Sequence, residues 1–229
     1  MRLLDLFCGR WGWSKAFAKR GWECVGVDLV EPPEIPNGCT FKEADILDFW
    51  GTAPGWAHYN GNPWACTWSE QFDFIVASSP CEQFSKHGLK CFWPNPPYPE
   101  LGIKLFNHAR QLCEASGVPY VMENVRSAQE FVGRARHHCG PFYLWGNAVP
   151  TLMPQGIQKG LQLGNSGYAG KEQIEYRKKH SNPARDALSG SKKREDATAA
   201  VATIPPELAN CVADYAERII EQRRKSCGG

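Results

Sequence analysis

Five short strand-like segments, near residues 2–7, 24–29, 40–44, 72–79 and 118–124, are separated by stretches long enough for helices or loops. Runs of this length bounded by turn residues read as buried strands, and their alternation with helical stretches predicts a mostly parallel sheet with crossover helices on both faces. Between residues 101 and 116, Leu101, Leu105, Ala109 and Leu112 recur at helical spacing, so a helix is expected to feed the strand ending at Glu123. After Pro205-Pro206 the same repeat appears at Leu208, Val212, Tyr215 and Ile219, predicting a C-terminal helix that packs on the sheet beside the first strand.

The first strand has a further property. Arg2 to Ser14 reads as strand, glycine turn and helix start, and the second strand, Cys24 to Leu29, ends with the acid Asp28. Strand, Gly-rich turn, helix and acid-terminated strand make the nucleotide-binding half of a doubly wound fold, in which the acid takes ribose hydroxyls. Two later strands end in reactive groups. Phe72 to Ala77 runs into Ser79-Pro80-Cys81, and Val118 to Val121 runs into Glu123-Asn124-Val125. A thiol and a carboxylate are thereby delivered to the carboxyl edge of one sheet, where open α/β sheets bind their ligands.

A chain of 229 residues can bury one substantial core and a small appendage. We divide it into a core over 1–149, a small region over 150–200 and a C-terminal helix over 201–229 that completes the core. Residues 51–71, rich in Gly, Trp and Asn, read as an insertion loop, and 80–99, rich in proline and aromatics, as a long loop carrying Cys81. The net charge is only +2, yet Lys171, Arg177, Lys178, Lys179, Arg185, Lys192, Lys193 and Arg194 are bunched in the small region. Such a run meets a phosphate backbone or is a solvated polar loop.

The ten cysteines form no CxxC pair and follow no secretion signal, so reduced thiols in a cytoplasm are expected, with Cys24, Cys113 and Cys211 as small core residues. Trp22 and Trp145 fall in apolar segments and are also expected in the core. No run approaches the length of a membrane span. His137-His138-Cys139 has the wrong spacing for ligands on one face and no second half-site, so no metal is expected.

In order along the chain, Asp5 to Ser14, Asp28, Glu43-Ala44-Asp45-Ile46, Pro80-Cys81, Glu123-Asn124-Val125, Arg134-Ala135-Arg136 and Ile204 to Ala209 resemble the motifs of the DNA (cytosine-5) methyltransferases, especially the short bacteriophage-type ones. The resemblance implies a Rossmann-like class I S-adenosylmethionine-dependent methyltransferase fold with a very small target-recognition region over 150–200. It also implies a monomer that acts on double-stranded DNA in a bacterial or phage-infected cytoplasm. Cys81 would be the nucleophile and Glu123 the acid that holds N3 of a flipped cytosine, with Arg134 and Arg136 helping to hold the base. For Glu123 a helix-capping role is the alternative, and for the arginines a solvent-facing one. S-adenosylmethionine or a sulfonium analogue would lie against Phe7, Cys8, Gly9, Arg10, Gly12, Asp28, Leu29, Asp45, Ile46 and Pro80. Trp145-Gly146-Asn147 mimics a late cofactor motif that we place instead at Ala202 to Ala209.

Four residues depart from the family pattern: Trp11 for a turn glycine, Ser79 for a proline, Glu82 for a glutamine and Ala202 for an asparagine. Trp11 is expected to crowd the amino-acid end of the donor, because a bulky residue adopts positive φ at a cost. Together with Arg10 it suggests a second reading, transfer of a modified, acidic alkyl group from an unusual sulfonium donor. A catalytically silent nucleic-acid-binding paralogue is the third, and a tRNA substrate would use the same chemistry.

Overall fold

Leu3, Leu4, Asp5 and Leu6 are all buried because their strand, Arg2–Leu6 (β1), lies inside a seven-stranded sheet with both faces covered. The structure is a computed structural model that describes residues 1–50, 58–59, 71–87, 98–155 and 203–227. From β1 the chain passes through a short helix, Ser14–Ala18 (α1), to Glu23–Asp28 (β2) and Cys39–Glu43 (β3). Phe49–Trp50 (β4) and His58–Tyr59 (β5) pair in a separate antiparallel ribbon. Phe74–Ser78 (β6), Glu82–His87 (α2), Glu100–Ser116 (α3) and Tyr120–Asn124 (β7) follow. A one-turn helix, Gln129–Val132 (α4), a hairpin of His137–Cys139 (β8) and Phe142–Trp145 (β9), and Pro206–Cys227 (α5) complete the series.

The large sheet has the order β3-β2-β1-β6-β7-β9-β8. Its first five strands are parallel, and β9 runs antiparallel between β7 and β8. This is the doubly wound, Rossmann-like class I fold expected from the sequence, with a hairpin closing one side. Leu3, Phe17, Trp22, Phe74 and Val121 form the core under α1 and α5. Leu4, Leu6, Ile75, Phe106, Met122 and Trp145 form the opposite core under α3. Trp22 and Trp145 are core residues, as expected.

Three details differ from the sequence reading. Cys81 opens a helical turn, α2, inside the stretch expected to be all loop. The β8–β9 hairpin is new, because its strands of three and four residues carry too short a pattern to stand out. Cys211 is only half-buried, its thiol donating to the Leu152 carbonyl at 3.3 Å, while Cys24 and Cys113 are buried as expected. The C-terminal helix α5 packs chiefly on α1. Arg20 pairs with Asp214 at 2.9 Å, and the Trp22 indole donates to Glu217 at 3.0 Å.

The chain divides into two compact units, Met1–Ile157 with Ile204–Gly229, and Gln158–Thr203. The basic run from Lys171 to Arg194 lies outside the described residues, as does Ala202. No described helix is long and apolar enough to cross a membrane.

Candidate active site

The turn after β1 is built around two non-glycine residues at positive φ, Phe7 at 60° and Trp11 at 62°. What stabilises this conformation at Trp11 is packing. The ring is 1% exposed and lies over Gly26 of β2, with Phe41 edge-on at 6.5 Å. A Cβ at Gly26 would collide with the Trp11 ring and stand 2.8 Å from Cys8 Sγ. Trp11 therefore turns into the core instead of crowding the mouth of the turn, contrary to the sequence expectation, because the absent side chain at Gly26 leaves it a slot.

Backbone bonds tie this turn to β2. Trp11 N–H donates to Cys8 O at 2.7 Å, Cys8 N–H to Val27 O at 3.1 Å, and Gly9 N–H to Asp28 Oδ2 at 2.9 Å. Asp28 Oδ1 accepts the Leu29 N–H at 2.8 Å. Each carboxylate oxygen retains a lone pair, so Asp28 is oriented by the backbone and still able to accept a pair of hydroxyls. Beside it Leu29 and Val30 are 59% and 74% exposed, an apolar shelf next to an acid. Asp45 accepts the Leu47 N–H at 2.9 Å and opens a 3-10 turn. Of the other expected cofactor residues, Arg10 and Pro80 are exposed and Phe7 and Gly12 half-buried, whereas the Cys8 and Ile46 side chains are buried inward.

Asp5 lies beneath the turn, 1% exposed, and accepts the Ser14 hydroxyl at 2.6 Å through Oδ2. Its Oδ1 has no hydrogen-bond partner among the described residues. Burial pushes its pKa up to about 7, against the lowering effect of the Ser14 bonds. Burial, with Asp5 and Asp28 nearby, also pushes the Cys8 thiol up, so Cys8 stays neutral.

The reactive edge is assembled by β6 and β7. Ser78 and Glu123 stand side by side in register, and the Trp13 indole donates to Ser78 Oγ at 2.9 Å. Beyond that pair, Asn124 is fully buried. Its amide nitrogen donates to both the carbonyl and the hydroxyl oxygen of Ser79, each at 3.0 Å, while its Oδ1 accepts the Val125 N–H at 2.8 Å. The segment that carries Cys81 is thus fastened to the strand that carries Glu123. The carbonyl of half-buried Cys81 accepts the Ser85 N–H at 2.9 Å and so begins α2.

Two further bonds immobilise that helix. Gln83 Oε1 accepts the Gly102 N–H at 2.8 Å, and Ser127 Oγ donates to the Phe84 carbonyl at 2.9 Å. Glu123 is 7% exposed, so its carboxylate is largely removed from water. Ser127 was not singled out from the sequence, and Asn124 and Ser79 were named only as motif positions, with no bond expected between them. The available signal for Asn124 was a polar residue closing an otherwise apolar buried strand.

Arg134 and Arg136 are placed elsewhere. Arg136 donates its backbone N–H to Leu144 at 2.8 Å and Nη1 to the Gly146 carbonyl at 3.1 Å. Both arginines line a cavity with Tyr120, at the start of β7, while Glu123 is near its end. The mimic sequence lies at that same amino end, where Asn147 Oδ1 accepts the Tyr120 N–H at 2.9 Å. His137, His138 and Cys139 diverge. His137 Nε2 contacts Thr151 O at 3.1 Å, His138 stacks on Tyr143, and Cys139 donates to Pro154 O at 3.3 Å.

No family model matches the chain, and no curated protein matches it in sequence. Among solved structures, the antibiotic-resistance methyltransferase Kmr is similar over 55% of this chain and 59% of its own, at 15% identity and a TM-score of 0.28. The glycopeptide N-methyltransferase MtfA is similar over 54% of this chain and 46% of its own, at 17% identity and a TM-score of 0.26. MtfA complexed with (S)-adenosyl-L-methionine gives 64% and 58%, at 16% identity and a TM-score of 0.29. The chain spans between 46% and 59% of the length of these proteins. At such similarity the fold assignment rests on the strand order.

Proposed function

We propose that this chain methylates C5 of cytosine in DNA, with S-adenosylmethionine as donor and Cys81 as covalent nucleophile. The observation that carries the reading is the pairing of Ser78 with Glu123 on adjacent parallel strands, with the Asn124 amide binding the Ser79 that precedes Pro80 and Cys81. A thiol and a largely dehydrated carboxylate are held at one sheet edge, next to a turn whose acid Asp28 is oriented for a diol.

The residues fit the donor. The turn is closed by backbone bonds and its large side chain, Trp11, points into the core, leaving Gly9, Gly12, Asp28 and the Leu29 shelf to face a nucleoside. The bound donor supplies an electrophilic methyl group. Cys81 as thiolate adds to C6, making C5 an enamine carbon that takes that methyl group. Glu123 holds N3 and shares a proton with it as negative charge develops on the ring. A base then removes the C5 proton, and the electron pair expels the Cys81 thiolate and restores the ring. For sulfur to approach C6 from above its plane, the base must leave a duplex.

The test is trapping. DNA that carries 5-fluorocytosine should form a covalent adduct with the native protein in the presence of S-adenosylmethionine, since fluorine cannot leave as a cation. Cys81→Ser should abolish the adduct, and Glu123→Gln should slow it about 100-fold or more. Nucleoside mass spectrometry of ordinary DNA should show 5-methylcytosine. An adduct that survives Cys81→Ser would sink the assignment.

A further inference from the structure

On the face of the sheet under α3, three guanidinium groups converge. Arg110 from α3 and Arg134 and Arg136 from the segment before β8 line a cavity of about 380 Å³, together with Glu114, Tyr120, Trp145, Gly146 and Asn147. None of the three arginines is ion-paired with a described residue. Glu114, the one acid in the lining, accepts the Tyr120 hydroxyl at 3.2 Å. Three cations against one acid leave an excess of two positive charges around an open cavity, where Arg134 and Arg136 are exposed and Arg110 is half-buried, so the excess is reachable by a soluble anion.

Two of the guanidiniums are held in place. Arg110 Nη2 donates to the Val132 carbonyl at 2.6 Å, and its fork stacks over the Phe106 ring at 4.8 Å. Arg136 Nη1 donates to the Gly146 carbonyl. Gly146, at φ 126°, lies against the Tyr120 backbone, where a Cβ would clash with the Tyr120 oxygen. Each anchor uses one of five N–H donors, so an oriented fork remains for a tetrahedral oxyanion. The cavity is at Tyr120, three residues before Glu123, roughly 10 Å along the strand.

We propose that Arg110, Arg134 and Arg136 form a phosphate-oxyanion site at the amino end of β7, separate from the Cys81 edge. It stands whether or not the chain methylates cytosine. Two sources present the same chemistry, a nucleic-acid backbone and a small phosphorylated molecule.

Inorganic pyrophosphate, followed calorimetrically, and a short DNA duplex, followed by anisotropy, should be titrated into the full chain. The variants are Arg134→Gln, Arg136→Gln and Arg134→Lys, with Arg223→Gln on exposed α5 as a control of equal charge change. Each glutamine variant should bind the site's ligand about tenfold more weakly, as removal of one charge-assisted hydrogen bond requires, with Arg134→Lys intermediate and Arg223→Gln like the native chain. A loss confined to pyrophosphate assigns the site to small phosphorylated molecules, and a loss that includes the duplex assigns it to nucleic-acid backbone. Unchanged affinity for both probes, or an equal loss in Arg223→Gln, overturns the proposal. Thermal melts of Arg134→Gln separate this from misfolding, because Arg134 makes no hydrogen bond or ion pair with a described residue and its replacement should leave the melt in place.

Discussion

The amide nitrogen of Asn124 sits 3.0 Å from both oxygens of Ser79 that it can reach, the carbonyl and the hydroxyl, in a fully buried arrangement between two strand ends. A proline at position 79 would keep the carbonyl and lose the hydroxyl, so the second bond depends on the serine side chain.

Asn124→Ala should therefore cost more than Ser79→Ala. The first leaves the Ser79 carbonyl without its donor and should destabilise the fold by about 1–3 kcal/mol, whereas the second removes one of two acceptors and should cost about 1 kcal/mol or less. If the clamp positions Cys81, alkylation of the Cys81 thiol, followed by peptide mass spectrometry, should change in Asn124→Ala and be nearly native in Ser79→Ala. Equal alkylation in all three proteins would reduce the clamp to a stabilising interaction.

Trp11 and Gly26 form a size-complementary pair, so their replacements should not be additive. Gly26→Ala alone should destabilise by about 1–3 kcal/mol through overpacking against the ring. In the Trp11→Gly background, where the ring is gone and the Cys8 thiol at 2.8 Å is the remaining obstacle, the same change should cost less. Urea unfolding of the four proteins checks this, and a coupling energy near zero would show that the ring has another way out.

Asp5 makes stability depend on pH in a defined direction. Its folded pKa is about 7 against an ordinary value of 3.8, so between those values the folded protein keeps a proton that the unfolded chain has released. Stability present at low pH is then lost as pH rises towards about 7. Denaturant midpoints measured across that window should fall less steeply for Asp5→Asn than for the native protein. Parallel profiles would mean that Asp5 is ionised in its buried position.

The basic run in the small region makes a separate prediction. Neutralising Lys178, Lys179, Lys192 and Lys193 together should weaken duplex binding and flatten its dependence on salt, by about 0.9 in log–log slope for each phosphate that a lysine no longer neutralises. An unchanged slope would assign these charges to solvent.

Most of the sheet was legible in the sequence because its central strands β1, β6 and β7 are buried on both faces and appear as apolar runs, while the largely exposed edge strand β3 was marked only by its place in the alternation. The strand-like segments end at or run into Asp28, Cys81 and Glu123, so which polar residues close the strands was legible as well. Short β8 and β9 gave no such signal, since three or four residues carry at most two repeats of a strand pattern. The remaining decisions belong to packing between residues distant in sequence. Whether Trp11 filled the donor turn or the core depended on the missing side chain at Gly26, 15 positions away. Whether Arg136 faced the thiol edge depended on the level at which β8 joined β9, and this register set its guanidinium on Gly146 beside Arg110. A linear pattern states which residues are polar and which are buried. Only the packed sheet states which of them share a face and an end.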